Sequence, residues 1–221
     1  DPAEIGKRVA AAGVVGLGGA AFPSAVKLTG ALRAGVTTLV MNGGECEPYL
    51  SCDDRLMRDA AAGIVDGIRI MLHATGAQVA LVGIEDNKPE AIAAMQAAAA
   101  GFDTVQIRPV PARYPMGSEK QLIQALTGIE VPADGRPADI GLIVHNVGTA
   151  LAVRTAIREG KPLISRLVTV NGNCASNPGN IEVHVGTLAE EVIAFAGGLK
   201  VEGIGLARRV MGGPMMGMQI P

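Results

Sequence analysis

Four short apolar runs, each followed by a stretch of helical character, most constrain how this chain folds. The apolar runs fall at residues 37–41, 79–83, 104–107 and 140–144. The helical stretches between and after them run from Asp53 to about Gly76 and over residues 90–100, 119–126 and 149–159. Strands that alternate with helices predict an α/β sandwich with a largely parallel sheet. Ligands of such folds bind beyond the carboxyl ends of the strands, in the loops that enter the helices.

The pattern changes near residue 165. Residues 167–170 and 181–185 alternate like half-exposed strands around a turn-rich segment, and a short helix is predicted over residues 187–195. We therefore predict two domains: residues 1–165 form the α/β domain, and residues 166–221 form a small β-grasp module that continues into a linker.

Composition excludes several classes of protein. Apolar residues make up 48% and charged residues 18% of the 221 positions, so the chain is not disordered. The net charge is −2 and no basic run is present, so the sequence gives no reason to expect a nucleic-acid partner or a lipid-binding surface. Three cysteines without C-x-x-C spacing fit a reducing compartment and predict no metal or cluster site in this segment. Because the chain opens at Asp1 without methionine, we interpret it as a piece of a longer protein.

A glycine-rich segment at residues 13–27 is the most informative motif. Gly16, Gly18 and Gly19 remove side chains from a loop, so its backbone N–H groups can approach a ligand. Pro23 favours the start of a helix, and Lys27 follows about one turn later. The spacing is neither that of a P-loop nor that of a G-x-G-x-x-G fingerprint. A tight turn with a solvated lysine is the alternative interpretation of the same residues.

Four further blocks follow in order and extend the motif over nearly the whole chain: residues 42–57, 114–122, 145–149 and 211–217. With these blocks, the glycine segment resembles the flavin loop of the FMN- and NADH-binding subunit of respiratory complex I. The later blocks resemble the C subunit family of the Rnf electron-transport complex more closely. The resemblance implies a Rossmann-like flavin domain, followed by a soluble-ligand-binding β-grasp module.

The resemblance also implies where the cofactors bind. Gly16, Gly18 and Gly19 would face FMN, and Lys27 would reach toward flavin or nicotinamide nucleotide. Phe22 would flank the nicotinamide, although packing in the core is equally open for it. In the second block, the positions implied to contact or adjoin the flavin are Asn42, Gly44, Glu45 and Glu47. Solvation is the ordinary alternative for the two loop carboxylates.

The third and fourth blocks, residues 114–122 and 145–149, supply the other predicted binding residues, which are Tyr114, Gly117, Ser118, Glu119, His145, Asn146 and Thr149. Residues 117–119 begin a helix, where free N–H groups favour an anion, and Thr149 is able to cap another helix. Tyr114 either stacks on a ring or anchors its loop. His145 is either a ligand contact or a hydrogen-bonded residue at a strand end.

This sequence departs from the complex I pattern at three of these positions. Complex I carries an aspartate where Gly44 stands, a glutamate where Ser118 stands and an asparagine where His145 stands. The backbone N–H of Gly44 is a candidate substitute for the missing carboxylate. A single acid at residues 118–119 should repel a nucleotide phosphate less than two acids would.

Function follows from the family resemblance. FMN would take electrons from NADH and pass them singly to 4Fe-4S clusters that lie in the longer protein only, so no side chain is predicted to be catalytic. The family implies a peripheral subunit at the cytoplasmic face of the bacterial inner membrane. It also implies partners among the other Rnf subunits, including membrane subunits, with ferredoxin linked indirectly. Two alternatives remain: a docking module without flavin, and a flavoprotein with a donor other than NADH.

The Met-rich segment 211–218 is interpreted as a docking surface for the cluster domain, with adaptable packing or a soft-metal site as alternatives.

Overall fold

The protein is described by a computed structural model that covers residues 1–200 and 208–220. Among these residues, four strands form the main sheet: β1 Thr38–Gly43, β2 Val79–Glu85, β3 Val105–Val110 and β4 Leu142–Asn146. Their order is β3-β2-β1-β4 and every pairing is parallel. The register places Asn42 beside Asn146, so the carboxyl ends of β1 and β4 finish level with each other. The predicted α/β fold with a parallel sheet is confirmed.

Helices cover both faces of this sheet, so the α/β sandwich has three layers. On one face lie α1 Pro2–Ala11, α2 Ser24–Ala34, α3 Cys52–Thr75, α4 Pro89–Ala99 and α6 Val147–Glu159. Helix α5, Glu119–Thr127, packs on the other face through Leu122 and Ile123. Strand β1 shows the alternation that creates the two faces, because Leu39 and Met41 enter one core and Val40 enters the other.

Strand β4 differs from its predicted position. The sequence placed it at residues 140–144, but residues Pro137–Ile140 form a 3₁₀ turn that ends at Gly141 with φ of 75°. A positive φ favours glycine, so the turn closes there and the strand starts at Leu142. His145 and Asn146 are consequently the last residues of the strand instead of a loop after it.

The remaining elements form a second module, defined here as residues 165–220. Strands β5 Ser165–Val170 and β6 Gly179–His184 pair antiparallel, and helix α7 Ala189–Phe195 follows. The predicted strands at residues 167–170 and 181–185 and the predicted helix at residues 187–195 are therefore confirmed. The Met-rich segment forms a hairpin that the sequence did not predict, with β7 Arg209–Met211 and β8 Met218–Ile220. Residues 201–207, within the predicted module and linker, lie outside the described residues.

Among the helices within residues 1–200 and 208–220, none combines the length and apolar character that crossing a membrane requires.

Candidate functional site

The glycine loop lies where the carboxyl ends of the strands meet the helices. It closes on itself, because the Gly16 N–H donates to the Phe22 carbonyl at 2.8 Å and Ser24 N–H donates to Val14 O at 3.0 Å. Gly19 has φ of 121° and open space where a Cβ would be, so the face of the loop is bare. Phe22 is 52% exposed beside it, and its alternative placement in the core is therefore wrong.

The start of α6 lies directly against this loop. Leu17 N–H donates to Thr149 Oγ1 at 2.9 Å, and a Cβ on Gly18 would lie 3.4 Å from the side chain of Asn146. Asn146 itself caps the helix, because its Oδ1 accepts from Gly148 N–H at 2.8 Å. The expectation that Thr149 caps α6 is wrong: its hydroxyl is used by the glycine loop.

Asn42 joins the end of β1 to the loop before α5. Its Nδ2 donates to Gly117 O at 2.8 Å, and its Oδ1 accepts from Gly44 N–H at 2.9 Å. The Gly44 N–H is therefore engaged by Asn42, which bears against its proposed role as a substitute donor to flavin. A Cβ on Gly117 would lie 2.5 Å from Gly44 O and 2.9 Å from Cys46 Sγ, so the two loops approach closely only because residue 117 is glycine.

The two carboxylates of the second block are not simply solvated. Glu45 accepts from the backbone N–H groups of Asp53 and Asp54 at 2.9 and 3.2 Å, and its side chain is 4% exposed. It therefore caps the start of α3 and complements the positive end of the helix dipole. Glu47 accepts from Met215 and Met216 N–H at 2.9 and 2.6 Å, which fixes the turn of the β7–β8 hairpin.

Lys27 and Glu119 extend toward each other from α2 and α5. Their Nζ and Oε2 atoms are 3.4 Å apart, and the side chains stay 33% and 42% exposed. Ser118 occupies the position before α5 but its hydroxyl makes no capping bond. Within residues 1–200 and 208–220, no side chain caps α2 or α5, so both N-termini keep free donors near Lys27. Tyr114 is 42% exposed on the loop before α5.

His145 lies under this surface. It is 5% exposed, and its Nε2 is buried with no hydrogen-bond partner among the described residues. Burial, with the nearby Lys27 charge, lowers the pKa of His145 to about 3. The ring is therefore neutral at physiological pH, and the expected hydrogen bond at a strand end is missing from Nε2.

Asp53 is the residue that the site prediction missed. Asn146 Nδ2 donates to Asp53 Oδ2 at 2.6 Å, so the asparagine that caps α6 also holds this carboxyl. Burial and the neighbouring Glu45 raise the pKa of Asp53 to about 6. The sequence pattern predicted only that Asp53 lies in the first turn of a helix. It gave no sign of the bond between Asp53 and Asn146, which lies 93 positions further along the chain.

Lys88 and Cys52 also contact Glu45. Lys88 Nζ donates to Glu85 Oε2 at 2.6 Å and to the Glu45 carbonyl at 3.2 Å, and its side chain is 11% exposed. Cys52 donates its thiol to Glu45 Oε1 at 3.2 Å. Burial and the charges of Asp53 and Glu45 raise the pKa of Cys52 to about 12, so the thiol stays protonated and unreactive.

The exposed surface between these loops suits a flat anionic cofactor such as FMN. The bare face at Gly19 allows close backbone approach, and the free N-termini of α2 and α5 with Lys27 favour an anion. A metal ion fits less well, because the described residues contain no group of three or more His, Cys, Asp or Glu side chains arranged to hold one. Two cavities of about 400 and 390 Å³ lie elsewhere, and the first is lined by Arg69, His73 and Thr104 at the opposite edge of the sheet.

Comparison with known protein families agrees with this geometry. The family described as the Nuo51 FMN-binding domain matches residues 9–155, and the SLBB domain family matches residues 167–219. The chain belongs to the Nuo51 FMN-binding domain family. Its flavin-domain match contains the glycine loop and the starts of α2, α3, α5 and α6.

Curated relatives confirm the resemblance to the C subunit of the Rnf complex. The chain is 53% identical over 221 residues to the C subunit of the ion-translocating oxidoreductase complex of Rhodobacter capsulatus, with 99% of this chain and 42% of the relative covered. It is 51% identical to the corresponding subunit of Pseudomonas aeruginosa, with 100% of this chain and 28% of the relative covered. The chain therefore spans less than half of the length of these relatives.

Solved structures show the same fold. A chain of an NAD⁺-reducing nickel–iron hydrogenase in the H₂-reduced state superposes with a TM-score of 0.79 at 24% identity, covering 96% of this chain and 41% of that one. The air-oxidised form gives a TM-score of 0.73 at 26% identity over 89% of this chain and 39% of that one. The first likeness supports the fold alone.

Proposed function

We propose that this chain binds FMN at the carboxyl edge of its parallel sheet and receives electrons from NADH there. The convergence of three separate segments at that edge carries the proposal. The glycine loop is bonded to Thr149, and Asn42 is bonded to the loop before α5. Asn146 links the two, because it lies beside Asn42 in the sheet and its side chain lies against Gly18. The match to an FMN-binding family over residues 9–155 supports the same cofactor.

The residues of this chain would bind and orient, and no side chain needs to act as an acid or base. Gly16, Gly18 and Gly19 would allow close approach of the flavin, and Lys27 with the free N-termini would bind phosphate oxygens. Phe22 and Tyr114, which are 52% and 42% exposed, would offer ring surfaces for the nicotinamide side. Bound FMN would supply the chemistry by taking two electrons from NADH and releasing them one at a time.

Four residues that were predicted to contact the cofactor already have bonding partners within the protein, so they are less available to bind it directly. Glu45 caps α3, Glu47 holds the β7–β8 turn and the Gly44 N–H is bonded to Asn42. Glu119 pairs with Lys27, so an incoming nucleotide phosphate would have to share or replace this ion pair. We infer that Glu45 and Glu47 act mainly by fixing the shape of their loop.

In the whole protein we propose that electrons continue to 4Fe-4S clusters outside this chain, and from there toward ferredoxin. The name of the R. capsulatus relative, which places it in an ion-translocating oxidoreductase complex, supports assembly with other Rnf subunits. We place the chain as a peripheral part of that complex, at the cytoplasmic face of the inner membrane. The domain division at residue 165 and the docking role of the Met-rich hairpin belong to the same proposal.

The test is a titration of the 221-residue chain and of the full-length protein with FMN, followed by NADH under anaerobic conditions. We expect quenched flavin fluorescence and bleaching of the oxidised-flavin absorbance band after NADH. Lys27→Ala should weaken FMN binding about tenfold, since a charge-assisted contact is lost, whereas Lys7→Ala on exposed α1 is the matched control. Bound flavin that NADH leaves oxidised would contradict NADH as donor. No FMN binding by either protein would contradict the flavin site and favour a docking module.

A further inference from the structure

The second module holds the loop between β1 and α3. Asn171 Nδ2 donates to Tyr49 O at 3.0 Å, and Thr169 Oγ1 accepts from Ser51 N–H at 3.1 Å. Asn180 Nδ2 donates to Ser51 O at 3.3 Å. This loop contains Glu45 and Glu47, so the second module constrains one of the loops of the proposed flavin site.

Arg166 makes a separate contact from β5 to the glycine loop. Its Nη2 donates to the Leu17 carbonyl at 3.2 Å, and Leu17 lies between Gly16 and Gly18. The N–H of the same residue donates to Thr149 Oγ1 at 2.9 Å. Leu17 is therefore held from two sides, by the first turn of α6 and by a charged group of the second module.

The flanking glycines make this restraint matter. Glycine has the largest backbone freedom of any residue, so a loop of Gly16, Gly18 and Gly19 loses much entropy when it becomes ordered. A loop ordered before the ligand arrives binds more tightly, because less of that entropy is lost on binding. A charge-assisted hydrogen bond at the centre of the loop is an effective way to order it.

Arg166 also acts on the residues behind the loop. Its positive charge lowers the pKa of Asp53, opposing the effects of burial and Glu45. Asp53 accepts from Asn146, which caps α6 beside Thr149. The guanidinium of Arg166 thus bonds the Leu17 carbonyl within the glycine loop and also acts on Asp53, which is bonded to Asn146 at the start of α6.

We propose that Arg166 of the second module is a positioning residue for the flavin loop, holding the Leu17 peptide group in the conformation that receives FMN. This inference rests on the proposed function for its ligand. It adds that the second module takes part in flavin binding instead of serving only as a spacer toward the rest of the protein.

The experiment compares Arg166→Ala and Arg166→Lys in the 221-residue chain, with Arg209→Ala as control. Arg209 is an arginine of the same module that pairs with Glu190. Hydrogen exchange of residues 16–20 is measured without flavin, and FMN affinity is measured by fluorescence quenching. We expect Arg166→Ala to speed exchange of residues 16–20 and to weaken FMN binding about three- to tenfold. Arg166→Lys should restore part of both effects, and Arg209→Ala should change neither.

Exchange in the second module separates positioning from a general loss of structure. Faster exchange at residues 16–20 with unchanged exchange at residues 167–184 supports the proposal. Unchanged exchange at residues 16–20 overturns it, as does an equal increase in both segments, because Arg166 would then act through the stability of its own module. The exchange measurement needs no cofactor, so it decides the role of Arg166 even if the wild-type chain fails to bind FMN and the proposed function falls.

Discussion

Replacing Asp53 with asparagine should make the protein more stable at neutral pH. Asp53 is buried at the start of α3, next to Glu45, with Asn146 Nδ2 at 2.6 Å from its Oδ2. An asparagine oxygen in the same place can still accept the Asn146 bond. The substitution therefore removes a buried negative charge and retains its hydrogen bond.

The pKa of Asp53 sets the magnitude. It rises from 3.8 to about 6 on folding, and each pKa unit corresponds to about 1.4 kcal/mol, so ionised Asp53 lowers the free energy of unfolding by about 3 kcal/mol. The folded state holds the proton more tightly than the unfolded state. The contribution of Asp53 to stability is therefore fully present below pH 3.8 and is lost as the pH rises through about 6. The neutral side chain also loses about 0.5 kcal/mol of favourable interaction with the helix dipole.

The assay is urea unfolding of wild type and Asp53→Asn between about pH 4 and pH 8. The two proteins should have nearly equal free energies of unfolding at about pH 4. At about pH 7.5, the free energy of unfolding of the variant should be higher by about 2–3 kcal/mol. Asp59→Asn, an exposed carboxylate paired with Arg55, is the control and should differ by less than about 0.5 kcal/mol at either pH. A difference between Asp53→Asn and wild type that stays constant across this range would refute the reasoning, because burial of a charge must appear as pH dependence.

Three further predictions concern the same edge of the sheet. Gly117→Ala puts a Cβ 2.5 Å from Gly44 O, so we expect a loss of about 1–3 kcal/mol in thermal unfolding, and an unchanged melting temperature would contradict the close approach of the loops. Lys88→Met leaves Glu85, 4% exposed, without its ammonium partner, and should cost about 3–5 kcal/mol in urea unfolding at about pH 7.5, whereas an unchanged urea midpoint would contradict the buried pair. His145, with its pKa lowered to about 3, should show no titration of its ring ¹H shifts between about pH 8 and pH 4.5, whereas a midpoint near 6.5 would show that the ring is solvated.

The main features of the fold follow from local patterns in the sequence. Alternating apolar runs and helical periods predicted the parallel sheet, and the half-exposed pattern after residue 165 predicted the β5–β6 pair and α7. The glycine spacing predicted a loop open to a ligand, which the bare face at Gly19 matches. These features depend on residues close together in the chain, so their periodicity records them directly.

The tertiary structure decided which partner each site residue has. The sequence supplied Glu45, Glu47 and Thr149 as candidate ligands, but folding brings Glu45 to the start of α3, Glu47 to the β7–β8 turn and Thr149 to Leu17. The sequence did not predict the bonds of Asp53 with Asn146 and of Arg166 with Leu17, because these residues lie about 90 and 150 positions apart in the chain. Hydrogen bonds and pKa shifts depend on distances within a few ångströms, and those distances are set by how the whole chain packs.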